Sequence, residues 1–301
     1  MRKLKLVSSV IALTLSLGAC GDDTDAVNPT PTGDPAPEEG TISMTFTNLP
    51  VLGQGFVYEG WLVVDGEVTS VSRFDSDGME EIVLNEELPA GTESAGAFVL
   101  SIEPEDGDPP EPSEVKLLGG DFDAGTAALT IGHSAAIGND FADASGNFLV
   151  ATPTSAAMDD EDNGIWYLDP MADPMVSSLN LPELPAGWTY EGWVVADGAP
   201  VSTGTFSDLN MPDSNGAGPT AGTDGMTPPF PGEDYITPPR DLTAGYAAVI
   251  SVEPVPDDAP DAPFRLKPLL GTIMTGAGAP NIQALNNDIV NSSITGSATI
   301  N

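Results

Sequence analysis

Basic residues are scarce in this chain. Only 8 Lys and Arg stand against 46 Asp and Glu in 301 residues, a formal net charge of −38. Three of the eight, Arg2, Lys3 and Lys5, fall in the first five positions, so the remainder carries no basic footprint for a phosphate backbone. Nucleic acid is thereby excluded as a partner, and electrostatic attraction to anionic lipid headgroups is absent. There is one Cys and one His, which excludes a disulfide framework, a Cys/His zinc site and most imidazole-based catalysis. No stretch approaches the ~18 apolar residues that a spanning helix requires. No 11-residue window shows helical periodicity.

What is present begins with an export signal. Arg2, Lys3 and Lys5 form a positive segment, and Leu6 to Leu17 is apolar apart from Ser and Thr. Leu17-Gly18-Ala19-Cys20 follows, the residue order of a bacterial lipobox, and Cys20 is the only cysteine. Residues 1–19 therefore read as a lipoprotein signal peptide and Cys20 as the lipid-attachment site. More than one acyl chain on that residue would give stable anchoring to the cell membrane or outer membrane. Residues 20–41 are rich in Asp, Glu, Pro, Thr and Gly and read as a solvated tether.

The rest is organised by a duplication. Asn48 to Phe74 and Asn180 to Phe206 align without a gap at an offset of 132, with 14 of 27 positions identical. Val99 to Pro104 recurs as Val249 to Pro254 at an offset of 150, so the second copy holds an insertion, placed in the Gly, Pro and Asp-rich residues 207–243. A period above 100 residues means duplicated domains, not a solenoid. Tyr58 to Val64 predicts a strand apolar on both faces, hence central. Asp65-Gly66 and Asp197-Gly198 predict two-residue hairpins. Phe98 to Ile102 and Ala248 to Val252 predict buried strands ending at Glu-Pro. Phe148 to Thr154 and Gly164 to Leu168 predict a further hairpin, assigned to the second copy. The expected fold is all-β, two tandem antiparallel β-sandwich (Ig-like) domains over residues 42–140 and 141–301.

Leu181 to Phe206, with the pattern LP-x-LPAG-x-x-Y-x-x-W-x-x-x-x-G-x-P-x-S-x-G-x-F, and the later Ser251 to Pro254 block resemble the C-terminal domain of the anti-sigma-K factor family. The first copy is a diverged version that keeps Tyr58, Trp61, Gly66, Ser70 and Phe74, with Val68 where the second has Pro200. The resemblance spans most of residues 43–120 and 176–272. It implies an extracytoplasmic β-sandwich. In that family a membrane span joins this domain to a cytoplasmic sigma-binding domain, and this sequence contains neither, so anti-sigma activity is not carried over.

Several residues invite chemistry. Glu59 and Glu191 are equivalent, as are Glu103 and Glu253, and paired carboxylates can serve glycoside hydrolysis. Their duplication points instead to solvent-facing or cross-strand positions. Asp159, Glu161 and Asn163 follow the oxygen-rich order of a calcium loop, as do Asp75 and Asp77, although Pro170 stands where a bidentate Glu belongs. Ordinary acidic turns account for both loops equally. Trp61, Trp193, Tyr58 and Tyr190 are suited to stacking on sugars, but their mid-strand places favour the core. His133 stands alone. The acidity fits either adaptation to salt or a surface that collects divalent cations. The expectation is a non-catalytic binding module, without cofactor unless calcium binds, held at the cell envelope by its lipid anchor and engaging an envelope protein. An accessory sensor for an anti-sigma system is the alternative.

Overall fold

A computed structural model describes residues 40–276 and 278–301. Strand follows strand: β1 (Thr41–Thr47), β2 (Phe56–Val64), β3 (Glu67–Phe74), β4 (Glu81–Glu87), β5 (Ala97–Pro104), β6 (Lys116–Asp123) and β7 (Thr126–Thr130). Next come β8 (Ser145–Val150), β9 (Gly164–Trp166), β10 (Leu168–Asp169), β11 (Val176–Ser177) and β12 (Leu179–Asn180). The second half adds β13 (Trp188–Ala196), β14 (Ala199–Phe206), β15 (Gly232–Asp234), β16 (Ala247–Pro254), β17 (Leu269–Thr272), β18 (Asn281–Asn287) and β19 (Thr295–Ile300). Helix among the described residues is confined to single turns at Glu161–Asn163 and Ile289–Ser292. The fold is all-β, with two large antiparallel sheets, as the turn-punctuated sequence predicts.

Local chemistry sets the hairpins. Asp65 and Gly66 both take positive φ, 50° and 89°, and Asp197 and Gly198 repeat this at 50° and 72°. Positive φ at both central residues is the type I′ geometry whose twist matches the flanking strands. Both long hairpins also carry a bulge at the same place, after Gly60 and after Gly192. A Cβ on Gly60 would lie 2.8 Å from the ring of Phe98 on the neighbouring strand β5, so the bare glycine leaves room for that ring to lie across it.

The first sheet has the order β3-β2-β5-β6-β7-β19-β1-β4, and the second β14-β13-β16-β17-β18-β8-β9-β15. Position by position these are the same sheet. Each folds over on itself. Phe46 of β1 stacks on Phe74 of β3 at 5.4 Å, although the two strands lie far apart in the ladder, and Ser72 of β3 bonds Glu86 of β4 at 3.0 Å. The buried faces of both sheets merge into one apolar cluster that runs from Ile42 through Phe98, Phe148 and Ile250 to Ala298.

The first sheet takes one strand from the other half of the chain, whereas every strand of the second sheet lies within residues 145–287. Residues 145–150, which follow the first copy, lie between β18 and β9 of the second sheet. Residues 295–300, which follow the second copy, lie between β7 and β1 of the first. The registers correspond: Leu129 faces Gly296, and Leu285 faces Gly146. The residue-140 boundary thus separates the matched sequence blocks but does not separate the sheets, because the last strand of the stretch 141–301 completes the first one. Loops also interlock. Gly53 donates its N–H to Asp258 Oδ2 at 2.9 Å, and a Cβ on Gly53 would fall 1.7 Å from the Asp258 carbonyl oxygen.

Candidate functional site

The repeated glutamates do not face solvent. Glu59, Glu103, Glu191 and Glu253 are all buried, at 5% exposure or less. This corrects the solvent-face half of the expectation, while Glu59 and Glu191 do stand in cross-strand pairs, opposite Arg73 and Thr205. The reason is local: each sits on a central strand and finds donors there. Trp61 Nε1 donates to Ser101 Oγ at 2.8 Å, and that hydroxyl donates on to Glu103. In the second copy Trp193 donates to Ser251 at 2.8 Å, and Ser251 to Glu253. The two indoles are thus core residues, and their N–H groups orient the Ser-x-Glu step. Each Glu then clasps the Pro-rich loop that crosses it, through the N–H of Ser113 at 2.8 Å and of Phe264 at 2.8 Å. Tyr58 and Tyr190 fix the opposite side, donating to the carbonyls of Pro50 and Pro182 at 2.8 and 2.7 Å.

The second member of each pair is held differently in the two copies. Ser70 donates to Glu59 Oε1 and Ser202 to Glu191 Oε1, the same bond twice. Glu59 Oε2 then accepts Arg73 Nη1 at 2.6 Å, and the same guanidinium reaches Asp108 and the Pro104 carbonyl. At the position of Arg73 the second copy has Thr205, the cross-strand neighbour of Glu191. Glu191 Oε2 consequently has no hydrogen-bond partner. Burial pushes the Glu191 carboxyl up to about 7 and the Glu253 carboxyl up to about 8, in each case against the Ser hydroxyl that favours ionisation. Glu191, Glu253 and Asp257 approach so closely that one oxygen from each lies within 4.8 Å of the others.

The calcium-loop candidates are placed elsewhere. Asp159 is exposed. Glu161 Oε2 accepts the N–H of Thr152 at 3.0 Å, and Asn163 is buried with its N–H on the Asp160 carbonyl. Asp77 accepts the N–H of Met79 at 3.0 Å, while Asp75 is exposed. Glu161, Asn163 and Asp77 thus shape turns. His133 Nε2 lies 3.3 Å from Asp121, and its Nδ1 accepts the N–H of Ala135. Cys20 lies outside the described residues. Among the described residues no helix is long and apolar enough to cross a membrane.

The insertion holds acids that composition alone did not single out. Asp234 is fully buried, with Oδ2 accepting the N–H and hydroxyl of Thr154 at 2.8 and 2.5 Å and Oδ1 accepting Trp166 Nε1 at 2.6 Å. Beside it in the chain, Glu233 accepts Asn215 Nδ2 at 3.0 Å, and Asp213 accepts the N–H of Gly232 at 2.8 Å. Burial raises Asp213 and Glu233 to about 7 each. Their neutral forms stabilise the fold. That contribution is complete below the unfolded carboxyl range near pH 4 and is lost as pH rises through about 7. The melting temperature is therefore expected to be about 5 °C lower at pH 8 than at pH 5, with a shallower fall in Glu233→Gln. A melting temperature that rises over that interval would contradict the assignment.

A cleft of about 390 Å³ opens where the two copies meet, with Trp61, Val63, Val99 and Pro112 on one side and Pro185 and Ala186 on the other. Its lining is largely apolar and it lies beside the first Trp-Ser-Glu relay. The Tyr-Glu-Gly-Trp strand, the Asp-Gly hairpin and the Ser-x-Glu-Pro strand are thus adjacent in space as β2, β3 and β5.

Residues 25–115 match the C-terminal domain of the anti-sigma-K factor rskA. Among described residues the match covers β1 to β5 and the Pro-rich loop, which places Arg73, Glu59 and Glu103 inside the rskA-like segment. It falls on the copy whose sequence is the more diverged from the quoted pattern, and it covers under a third of the chain. The second copy shares the strand order of this rskA-like segment without being part of the match. Comparison with curated proteins and with solved structures gave no match.

Proposed function

We propose that this chain is a lipid-anchored interaction module of the cell envelope, acting through protein contacts and not through catalysis. The observation that carries this is the rskA-like segment, whose family name ties it to anti-sigma regulation. The lipobox at Cys20 supplies the anchor. The paired carboxylates support a non-catalytic role, because all four are buried, with Glu103 and Glu253 clasping loops and Glu59 and Glu191 bonded to the neighbouring strand. An accessory sensor in an envelope-stress system is the specific form the family name favours. Such a protein would work by touching a transmembrane regulator.

The test is crosslinking in intact cells with a C-terminal tag, followed by identification of what copurifies from membranes. Recovery of a transmembrane anti-sigma factor or its protease is the expected result for the sensor. Recovery of surface components alone would restrict the chain to a structural module. Equal membrane recovery of wild type and Cys20→Ser would remove the lipid anchor from the proposal.

A further inference from the structure

The two copies solve the same electrostatic problem in different ways. In the first, one guanidinium lies between Glu59 and Asp108, so a cation sits between two carboxylates. In the second, three carboxylates converge and Thr205 replaces the arginine. The oxygen equivalent to the one that accepts Arg73, Glu191 Oε2, is buried without a partner on a side chain only 5% exposed. An orphaned carboxylate oxygen in such a place is unfavourable, and native structures seldom retain one without a counter-group. Lys267 is close enough to Glu253 to interact with its charge, yet its Nζ donates to the carbonyls of Phe264 and Arg265.

We propose that Glu191, Glu253 and Asp257 bind one divalent cation of the calcium class, in the place that the Arg73 guanidinium takes in the first copy. The donor set is all oxygen, which suits a hard cation and disfavours zinc or copper. Three buried carboxylates favour calcium over magnesium, because calcium accepts a cage of protein oxygens in flexible geometry whereas magnesium keeps several waters and is usually held by one or two carboxylates. The three oxygens here all lie within 4.8 Å of one another. The position also gives the ion something to do. Glu191 is on β13, Glu253 ends β16 and Asp257 is in the acidic loop beyond it, so one ion would tie that loop to the sheet. Arg73 makes the same tie in the first copy, joining β3 to the loop at Asp108.

The full chain, stripped with chelator, would be dialysed against radiolabelled calcium in ~0.15 M salt, where diffuse binding by the acidic surface is screened, and melted with and without calcium. One calcium per chain is expected. At a hundredfold excess over Kd the melting temperature should rise by roughly 5–10 °C. Glu191→Gln and Asp257→Asn should each lower calcium affinity at least tenfold. Thr205→Arg, which transplants the first copy's guanidinium, should abolish calcium binding while melting no lower than the calcium-free wild type. No bound calcium in the wild type would overturn the proposal. So would wild-type binding in both Glu191→Gln and Asp257→Asn, which would place the ions on the general acidic surface. Equal competition by magnesium would overturn the assignment to the calcium class.

Discussion

Deleting residues 295–301 is expected to unfold the first sheet, although those residues are the most distant in sequence from it. β19 stands between β7 and β1, pairing five residues of one and six of the other. Its loss opens a gap mid-sheet and exposes the neighbouring core residues Met44, Phe46 and Leu129. At about 0.5–1.5 kcal/mol net for each backbone hydrogen bond, two lost ladders amount to on the order of 5–10 kcal/mol. That equals most of the 5–15 kcal/mol that typically holds a domain together. The shortened chain should show early proteolysis within residues 40–130 and a melting temperature at least ~10 °C lower. Survival within ~3 °C of the intact chain would mean that β19 is dispensable. The measurement needs only limited proteolysis and circular dichroism on matched samples.

Asp234→Ala carries the second large effect. The substitution strands the N–H and hydroxyl of Thr154 and the indole N–H of Trp166, all in the dry interior. Unsatisfied buried donors cost about 1–3 kcal/mol each. A loss near 4 kcal/mol and a fall in melting temperature of roughly 10 °C are expected. Asp234→Asn keeps the volume but presents an amide NH2 to at least one of the same donors, so it should fall between wild type and alanine. A calorimetric scan of the three proteins checks the order. Alanine and wild type melting together would show that water or rearrangement satisfies these donors.

The sequence made some of this visible, and the reasons are physical. The Asp65-Gly66 hairpin was legible because a two-residue turn needs positive φ and few residues tolerate it. Tyr58 to Val64 read as a central strand because both of its faces are apolar. The hairpin joining 148–150 to 164–166 followed from its charged connector, though the first strand stops at Val150, short of Thr154. The placement of β19 in the first sheet was not legible, because Thr295–Ile300 is a short strand of small and β-branched residues, too weak a pattern to say which sheet it joins. The buried acids were missed for a different reason. Composition sends carboxylates to the surface, and 46 of them hide the few that are not there. Two signals could have found them. Glu recurs with Ser two residues before it at Ser101-Ile102-Glu103 and Ser251-Val252-Glu253, and Arg73 is one of only five basic residues after position 5.

The place of β19 also dictates an order of assembly. Ile42 pairs with Ile300, a contact between nearly the first and nearly the last described residue. A nascent chain can form β1 to β7 early, but the strand that must lie between β7 and β1 is made last. The first half must then wait, with an open edge on each side of the gap, until the second half has been synthesised. The second half is under no such delay, since β8 precedes the rest of its sheet. The downstream copy is therefore the one that closes first, and the upstream copy completes by capturing a tail already tethered to a finished neighbour.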